Sequence, residues 1–473
     1  MSAGGFGRDY DDVRVPPPWD DEHRAEDHPA SLESKHRGQV RMAYRLADSH
    51  ADVLMYVHGI GWHAWDGHRW VEDNQGQAKR AVLDVLRDAL TASLHDKDLR
   101  SDVNKCESAA GVAGVLDLAA ALEPFAFTVA NLDADPYLLN VDNGTLDLRM
   151  FELRAHDSSN RITKVTRGAY TAEASSRWTG FLERVLPDAD VREFLQRLAG
   201  VGLLGVVVEH VLGILTGVGR NGKGVFYGAL GYALGDYATV AEPDLFMHRE
   251  GAHPTGEMDL RGVRWAVVSE NDKGRRLAEA TMKRLTGGDE IKARRMRQDF
   301  VRFKPSHTPI LVTNHLPVVA GDDPALWARM RVVPFDVVIP TAERDVHLEE
   351  RLQLDADAIL SWAVAGYRDY LDHGGLAEPE AVRVATDDYQ KESDAVRRFV
   401  DDCCIVNPHM WITTGDAFHR WSRWSVQDGA EQISRKAFGQ ALDRLGYPAG
   451  SAVNGKRPRR GIGLYADDQE AGE

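Results

Sequence analysis

Apolar positions along the chain follow two periods. Short, largely apolar runs at 211–216, 263–269, 310–313 and 331–339 predict buried strands. Between and around them the spacing changes to the helical 3.6, predicting helices over 77–95, 108–122, about 190–204 and 346–373. Strands alternating with crossover segments predict an α/β sheet. Upstream, Val40, Ala43, Tyr44, Leu46 and Ala47 mark a first helix. Asp66-Gly67 supplies a turn for a hairpin over 65–70. Asn143-Gly144 separates two short strands within 137–148. After 379–404 comes a small α/β tail, with helices around 414–424 and 434–445 and a basic strand pair ending at 461–465. No repeat of fixed period occurs.

The run Val211–Leu215 leads into Gly217-Val218-Gly219-Arg220-Asn221-Gly222-Lys223-Gly224 and then an apolar helix from Val225. Strand, glycine-rich loop and helix in that order, with G-x-x-x-x-G-K spacing, predict a phosphate-binding loop. Glycines let consecutive N–H groups close on phosphate oxygens, the helix N-terminus adds partial positive charge, and Lys223 reaches the β/γ-phosphates. The predicted nucleotide contacts are Gly217, Gly219, Asn221, Gly222, Lys223, Gly224 and Val225. Gly224 stands where a Mg²⁺-binding hydroxyl residue is expected, which leaves the metal's ligation open.

Composition narrows the setting. At 473 residues, two to four domains are expected. No apolar run approaches a membrane span, the N-terminus lacks a secretory pattern, and three cysteines cannot build a disulfide framework. A cytoplasmic protein is expected. Residues 1–34 carry nine acids and three arginines, the pattern of a disordered acidic tail. The net charge of −16 argues against whole-surface binding to nucleic acid, so local concentrations of positive charge become informative.

Two such places stand out. Residues 292–304 hold six basic residues against one acid, and the alternation Phe300, Arg302, Lys304 suggests a β-hairpin. Lys292, Arg294, Arg295 and Arg297 are its predicted DNA contacts. The second is Lys456-Arg457-Pro458-Arg459-Arg460, a basic wing in which Lys456, Arg457, Arg459 and Arg460 are candidates for duplex DNA. Glu270 ends the 263–269 run and is the expected Mg²⁺ ligand and water-activating base, alone or with Asp272. Its spacing from Lys223 suggests a strand adjacent to that of the glycine loop. Asn314 ends the next strand and suits a sensor that orients water at the γ-phosphate. Arg329, with Arg331 the second candidate, precedes a strand and suits an arginine finger.

These motifs together resemble the superfamily 3 DNA helicases of the phage/plasmid primase–helicase (poxvirus-type) family. The resemblance rests on the loop at 217–223, Glu270, Leu285 through Arg294, Thr313 through Pro317, and Trp327 through Phe335. Leu139-Asn140-Val141 with Asn143 through Leu148, and Glu209-His210, add to it. It implies an AAA+-like P-loop ATPase core (189–340), preceded by a mixed α+β helicase-associated domain (35–188). A helical segment (341–394) and a winged-helix-like DNA-binding domain (395–473) follow. It further implies ATP and Mg²⁺ as cofactors and a homohexamer translocating 3′→5′ on single-stranded or forked DNA. Some relatives carry a primase domain ahead of the helicase. Residues 1–34 are too short for one, so no primer synthesis is expected and a separate primase or other replisome protein is the implied partner. The alternative reading is an ATP-controlled replication initiator or origin-binding protein without processive unwinding.

Overall fold

A computed structural model of the chain describes residues 36–247, 256–270, 272–294, 300–319, 323–430, 432–451 and 458–465. The acidic tail, Arg295, Arg297, Lys456 and Arg457 lie outside the described residues, as does the side chain of Glu270. The chain forms two compact units.

The first unit ends at Phe127, with His58–Ile60 and Trp65–Val71 assigned to the second. Its helices are α1 (Gly38–His50), α2 (Gln77–Ala92), α3 (Lys97–Cys106) and α4 (Ala109–Ala119). Met42, Ala43, Leu46 and Ala47 form the buried stripe of α1, and Ala78, Val82, Val85 and Ala89 that of α2. Asp96 and Ser108 cap α3 and α4 by accepting backbone N–H groups of the first turn. Strand β1 (Leu54–Val57) pairs antiparallel with β2 (Gly61–Trp65) and parallel with β4 (Ala126–Phe127); β3 is Trp70–Glu72. The sequence placed the first boundary at 188. Residues 128–188 instead belong to the second unit, because Leu139, Leu146, Trp178 and Phe181 share a core with the glycine-loop helix.

The second unit opens with an antiparallel sheet of β5 (Leu138–Val141), β6 (Gly144–Asp147) and β7 (Glu152–Arg154). Helices α5 (Ser176–Val185) and α6 (Ala189–Val201) follow. Its central sheet is parallel throughout. It contains β8 (Leu212–Thr216), β9 (Ala238–Ala241), β10 (Trp265–Glu270), β13 (Thr308–Thr313) and β14 (Met330–Pro334), in the order β14-β8-β13-β10-β9. Helix α7 (Lys223–Leu234) follows β8. Strand β13 therefore lies between the glycine-loop strand and the Glu270 strand, which corrects the expected adjacency of those two. The central place suits β13, since Ile310 and Val312 enter the core on one face and Leu311 that on the other. The predicted 331–339 strand stops at Pro334.

A hairpin of β11 (Ile291–Ala293) and β12 (Val301–Phe303) is inserted between β10 and β13, behind helix α8 (Glu279–Leu285). Short helices α9 (Pro324–Trp327) and α10 (Leu348–Gln353) flank β14 in sequence. Helix α11 (Ala356–His373) packs on α6 with backbones nearly touching. A Cβ on Gly200 would stand 2.1 Å from the Tyr367 nitrogen, and one on Gly366 2.0 Å from the Gln196 oxygen. Helix α12 (Glu380–Ser393) leads to the C-terminal module of α13 (Ala395–Cys403), β15 (Cys404–Thr413), α14 (Thr414–Asp428), α15 (Arg435–Arg444) and β16 (Pro458–Leu464). Strands β15 and β16 pair antiparallel, and Phe399, Trp421, Trp424 and Phe438 fill the module's core.

Because the α6–α11 contact leaves no room for a methyl group, Gly200→Ala is expected to cost about 1–3 kcal/mol. The urea midpoint of the purified protein measures this, with Gly180→Ala, at a helical site open to a Cβ, as the control expected to hold or raise it.

Candidate functional site

The glycine loop is shaped by close approaches. Gly217 has φ +144°, and a Cβ there would lie 2.3 Å from the Phe335 oxygen. Gly222 has φ +89°, and a Cβ there would lie 2.6 Å from Val185. Both positions therefore need glycine on two counts. Asn221 is 2% exposed; its Nδ2 donates to the Phe335 oxygen at 2.8 Å, bracing the loop against the chain that leaves β14. Helix α7 starts at Lys223 with no side chain capping its first turn. A helix end of this kind presents backbone N–H groups to an anion.

Lys223 is 4% exposed. Its Nζ donates to the Gly217 oxygen at 2.6 Å, to Asn221 Oδ1 at 3.2 Å and to Asn314 Oδ1 at 3.2 Å. These partners are neutral oxygens, and burial lowers the ammonium from its ordinary value to about 8. The residue predicted as phosphate lysine and the residue predicted as sensor are thus in direct contact. The order of strands explains this, since β13 pairs with β8 and both end at the glycine loop, Thr313 opposite Thr216. Strand β10 ends level with them, Glu270 opposite Thr313. Gly219 and Gly224 face open space. Among the described residues, no three His, Cys, Asp or Glu side chains gather as they would for a metal ion.

Arg329 does not meet the glycine loop. Its Nη1 donates to Thr286 Oγ1 at 2.9 Å and to the Lys283 oxygen at 3.3 Å, at the end of α8. Arg331 forms an ion pair with Glu378 at 2.8 Å. Thr286 escaped the sequence analysis as an individual residue because a buried threonine after a helix carries no chemical signature. Tyr389 escaped too. Its hydroxyl donates to the Pro317 oxygen at 2.5 Å and its ring lies edge-on to Trp327 at 5.1 Å, so α12 holds both the Asn314 loop and the segment before Arg329.

The motif around Asn140 is a structural brace. Asn140 Nδ2 donates to the oxygens of His68 (2.7 Å) and Lys164 (3.1 Å), and its Oδ1 accepts from Thr145 Oγ1 at 2.9 Å. Its backbone N–H donates to the Tyr237 hydroxyl, just beyond α7. Arg264 caps the Tyr237 ring at 4.5 Å.

Of the predicted DNA contacts, Lys292 and Arg294 are exposed on the inserted hairpin, and Arg460 is exposed on β16. Arg459 is a correction. It is 3% exposed, with Nε donating to Thr414 Oγ1 at 2.9 Å, Nη2 to the Gly439 oxygen at 2.9 Å and Nη1 to Asp443 at 2.5 Å. Alternation along β16 turns Arg459 into the module and Arg460 out of it.

Comparison with known proteins places this geometry among relatives. Residues 43–187 match the family described as D5 N terminal like, and residues 215–329 match a Family of unknown function, DUF5906. A protein of Acanthamoeba polyphaga mimivirus named as a helicase is 25% identical over 411 residues, covering 77% of this chain and 43% of that protein. Helicase-named 022R of Frog virus 3 is 26% identical over 350 residues, covering 70% and 34%. An African swine fever virus protein named as a primase is 24% identical over 214 residues, covering 43% and 22%. The chain is thus similar to viral proteins named as helicases or as primases. It spans less than half the length of these curated relatives. The apo A-form structure of the NrS-1 C-terminal region shares the fold, with a TM-score of 0.51 at 10% identity over 90% of this chain and 99% of that one. The D5-like match ends at 187, near the sequence-drawn boundary, whereas the compact unit ends at Phe127.

Arg459→Ala strands several buried acceptors and is expected to destabilise the C-terminal module by roughly 2–4 kcal/mol. Hydrogen exchange of α14 and α15 reads that loss, and Arg460→Ala is expected to leave it unchanged.

Proposed function

We propose that the chain is an ATP-dependent superfamily 3 DNA helicase. In this reading it forms a homohexameric ring and translocates 3′→5′ on single-stranded DNA during phage, prophage or plasmid replication in the host cytoplasm. The supporting observation is the Lys223 ammonium, buried against neutral oxygens at an uncapped helix start and touching Asn314. A buried cation so placed gains most from an incoming polyphosphate. The viral relatives named as helicases point the same way.

In this mechanism ATP lies on the glycine loop with its phosphates on Lys223 and the first N–H groups of α7. Asn314 leaves its bond to Lys223 to orient the attacking water, and Glu270 takes the proton. Mg²⁺ would be held by Glu270 and the phosphates, since Gly224 offers it no side-chain hydroxyl, and would neutralise charge there. An arginine from a neighbouring subunit completes the site. Arg329, bonded only to neutral oxygens among its described partners, yields to a phosphate more readily than Arg331, which would have to leave Glu378. The Thr286 that holds Arg329 lies five residues before the hairpin strand β11, giving a short path from γ-phosphate loss to strand movement.

Lys223→Ala is expected to lower DNA-stimulated ATP turnover by about 10²-fold or more and to abolish separation of forked DNA. Turnover by the wild type with no strand separation would instead fit the ATP-controlled initiator. A second expectation concerns protons. Bound phosphate favours the charged lysine, raising its value from about 8, so binding takes up protons near pH 8.5 and weakens as pH rises above that. Calorimetry with a non-hydrolysable ATP analogue in two buffers of different ionisation enthalpy measures the uptake, which Lys223→Met should remove.

A further inference from the structure

Alternation along the inserted hairpin sorts its residues by face. Ile291, Ala293, Val301 and Phe303 are buried in the core beneath the sheet. Lys292, Arg294, Arg302 and Lys304 are exposed on the opposite face. Phe300 breaks the rule. It falls in register with Arg302 and Lys304, on the charged face, and is 47% exposed although core space is used by its neighbours Val301 and Phe303. Two cations lie close to its ring, with Lys292 Nζ 4.8 Å and the Arg294 guanidinium carbon 4.6 Å from the centroid.

We propose that Phe300 is a base-stacking subsite for single-stranded DNA, with Lys292 and Arg294 beside it receiving the flanking phosphates. This rests on the nucleic-acid reading of the hairpin given above. An aromatic ring costs little entropy to hold, every base has a π-face, and stacking adds affinity without sequence preference. The neighbouring cations supply the electrostatic share, released counterions making it salt-dependent, while the ring's share is independent of salt. The two shares belong to different side chains and can be separated.

The test uses full-length protein and a fluorescent oligothymidylate, with a partner oligonucleotide of the same backbone carrying abasic sites. Affinity is measured across salt concentrations for wild type, Phe300→Ala, Phe300→Trp and Arg294→Ala. Phe300→Ala is expected to weaken binding about 5- to 100-fold with the salt slope unchanged, the range of one lost stacking partner. Phe300→Trp should restore the affinity, and wild type and Phe300→Ala should bind the abasic strand equally. Arg294→Ala should reduce the salt slope by about one contact. If Arg294→Ala changes the slope while Phe300→Ala leaves affinity intact, the stacking subsite is overturned and the hairpin reading stands. If neither variant changes binding, the hairpin reading fails, and the subsite with it. An equal loss for Phe300→Ala on abasic and intact strands also overturns stacking.

Discussion

A buried ammonium with neutral partners is the constraint around which the second unit is arranged. Lys223 sits at the start of α7, held by the Gly217 oxygen, Asn221 and Asn314, and burial brings its ionisation down to about 8. The groups that hold it come from separate segments. Asn221 is fixed by Phe335 beyond β14, and Asn314 directly follows β13. Two strands flank β8, one on each side, and both feed the same lysine. In the proposed function an anion arriving there would exchange neutral oxygens for charged ones, and Asn314 would be the side chain whose partner changes.

That exchange lies close to two mechanical links. Tyr389 on α12 grips the Asn314 loop through the Pro317 oxygen and leans on Trp327. Arg329, two residues after Trp327, holds Thr286, and the chain from Thr286 runs straight into the basic hairpin. The hairpin is anchored on its inner face by Ile291, Ala293, Val301 and Phe303. Packed, discrete contacts of this kind change by switching partners rather than by gradual bending.

Much of this was legible in the chain. The glycine loop, Asn314 and the hairpin announced themselves through residue types whose spacing has a chemical reason. The order of strands was not legible, because β10 and β13 are both short apolar runs and nothing in such a run states which neighbour it takes. That is why the Glu270 strand was placed one position too close to β8. Arg459 misled for a related reason: among adjacent basic residues, charge is visible but alternation relative to the core is not until β16 has its partner. Thr286 and Tyr389 were invisible because a hydroxyl acquires its role only from what folding places opposite it. The compact unit that ends at Phe127 was not legible either, since hydrophobic residues of 128–188 complete the core on which α7 rests.

The most direct test of the central contact is a double-mutant cycle between Lys223→Met and Asn314→Ala, read on ATP turnover. If the two side chains act as one unit at the phosphate, their effects will fall short of additivity by at least about 1 kcal/mol. Effects that add within about 0.3–0.5 kcal/mol would contradict it.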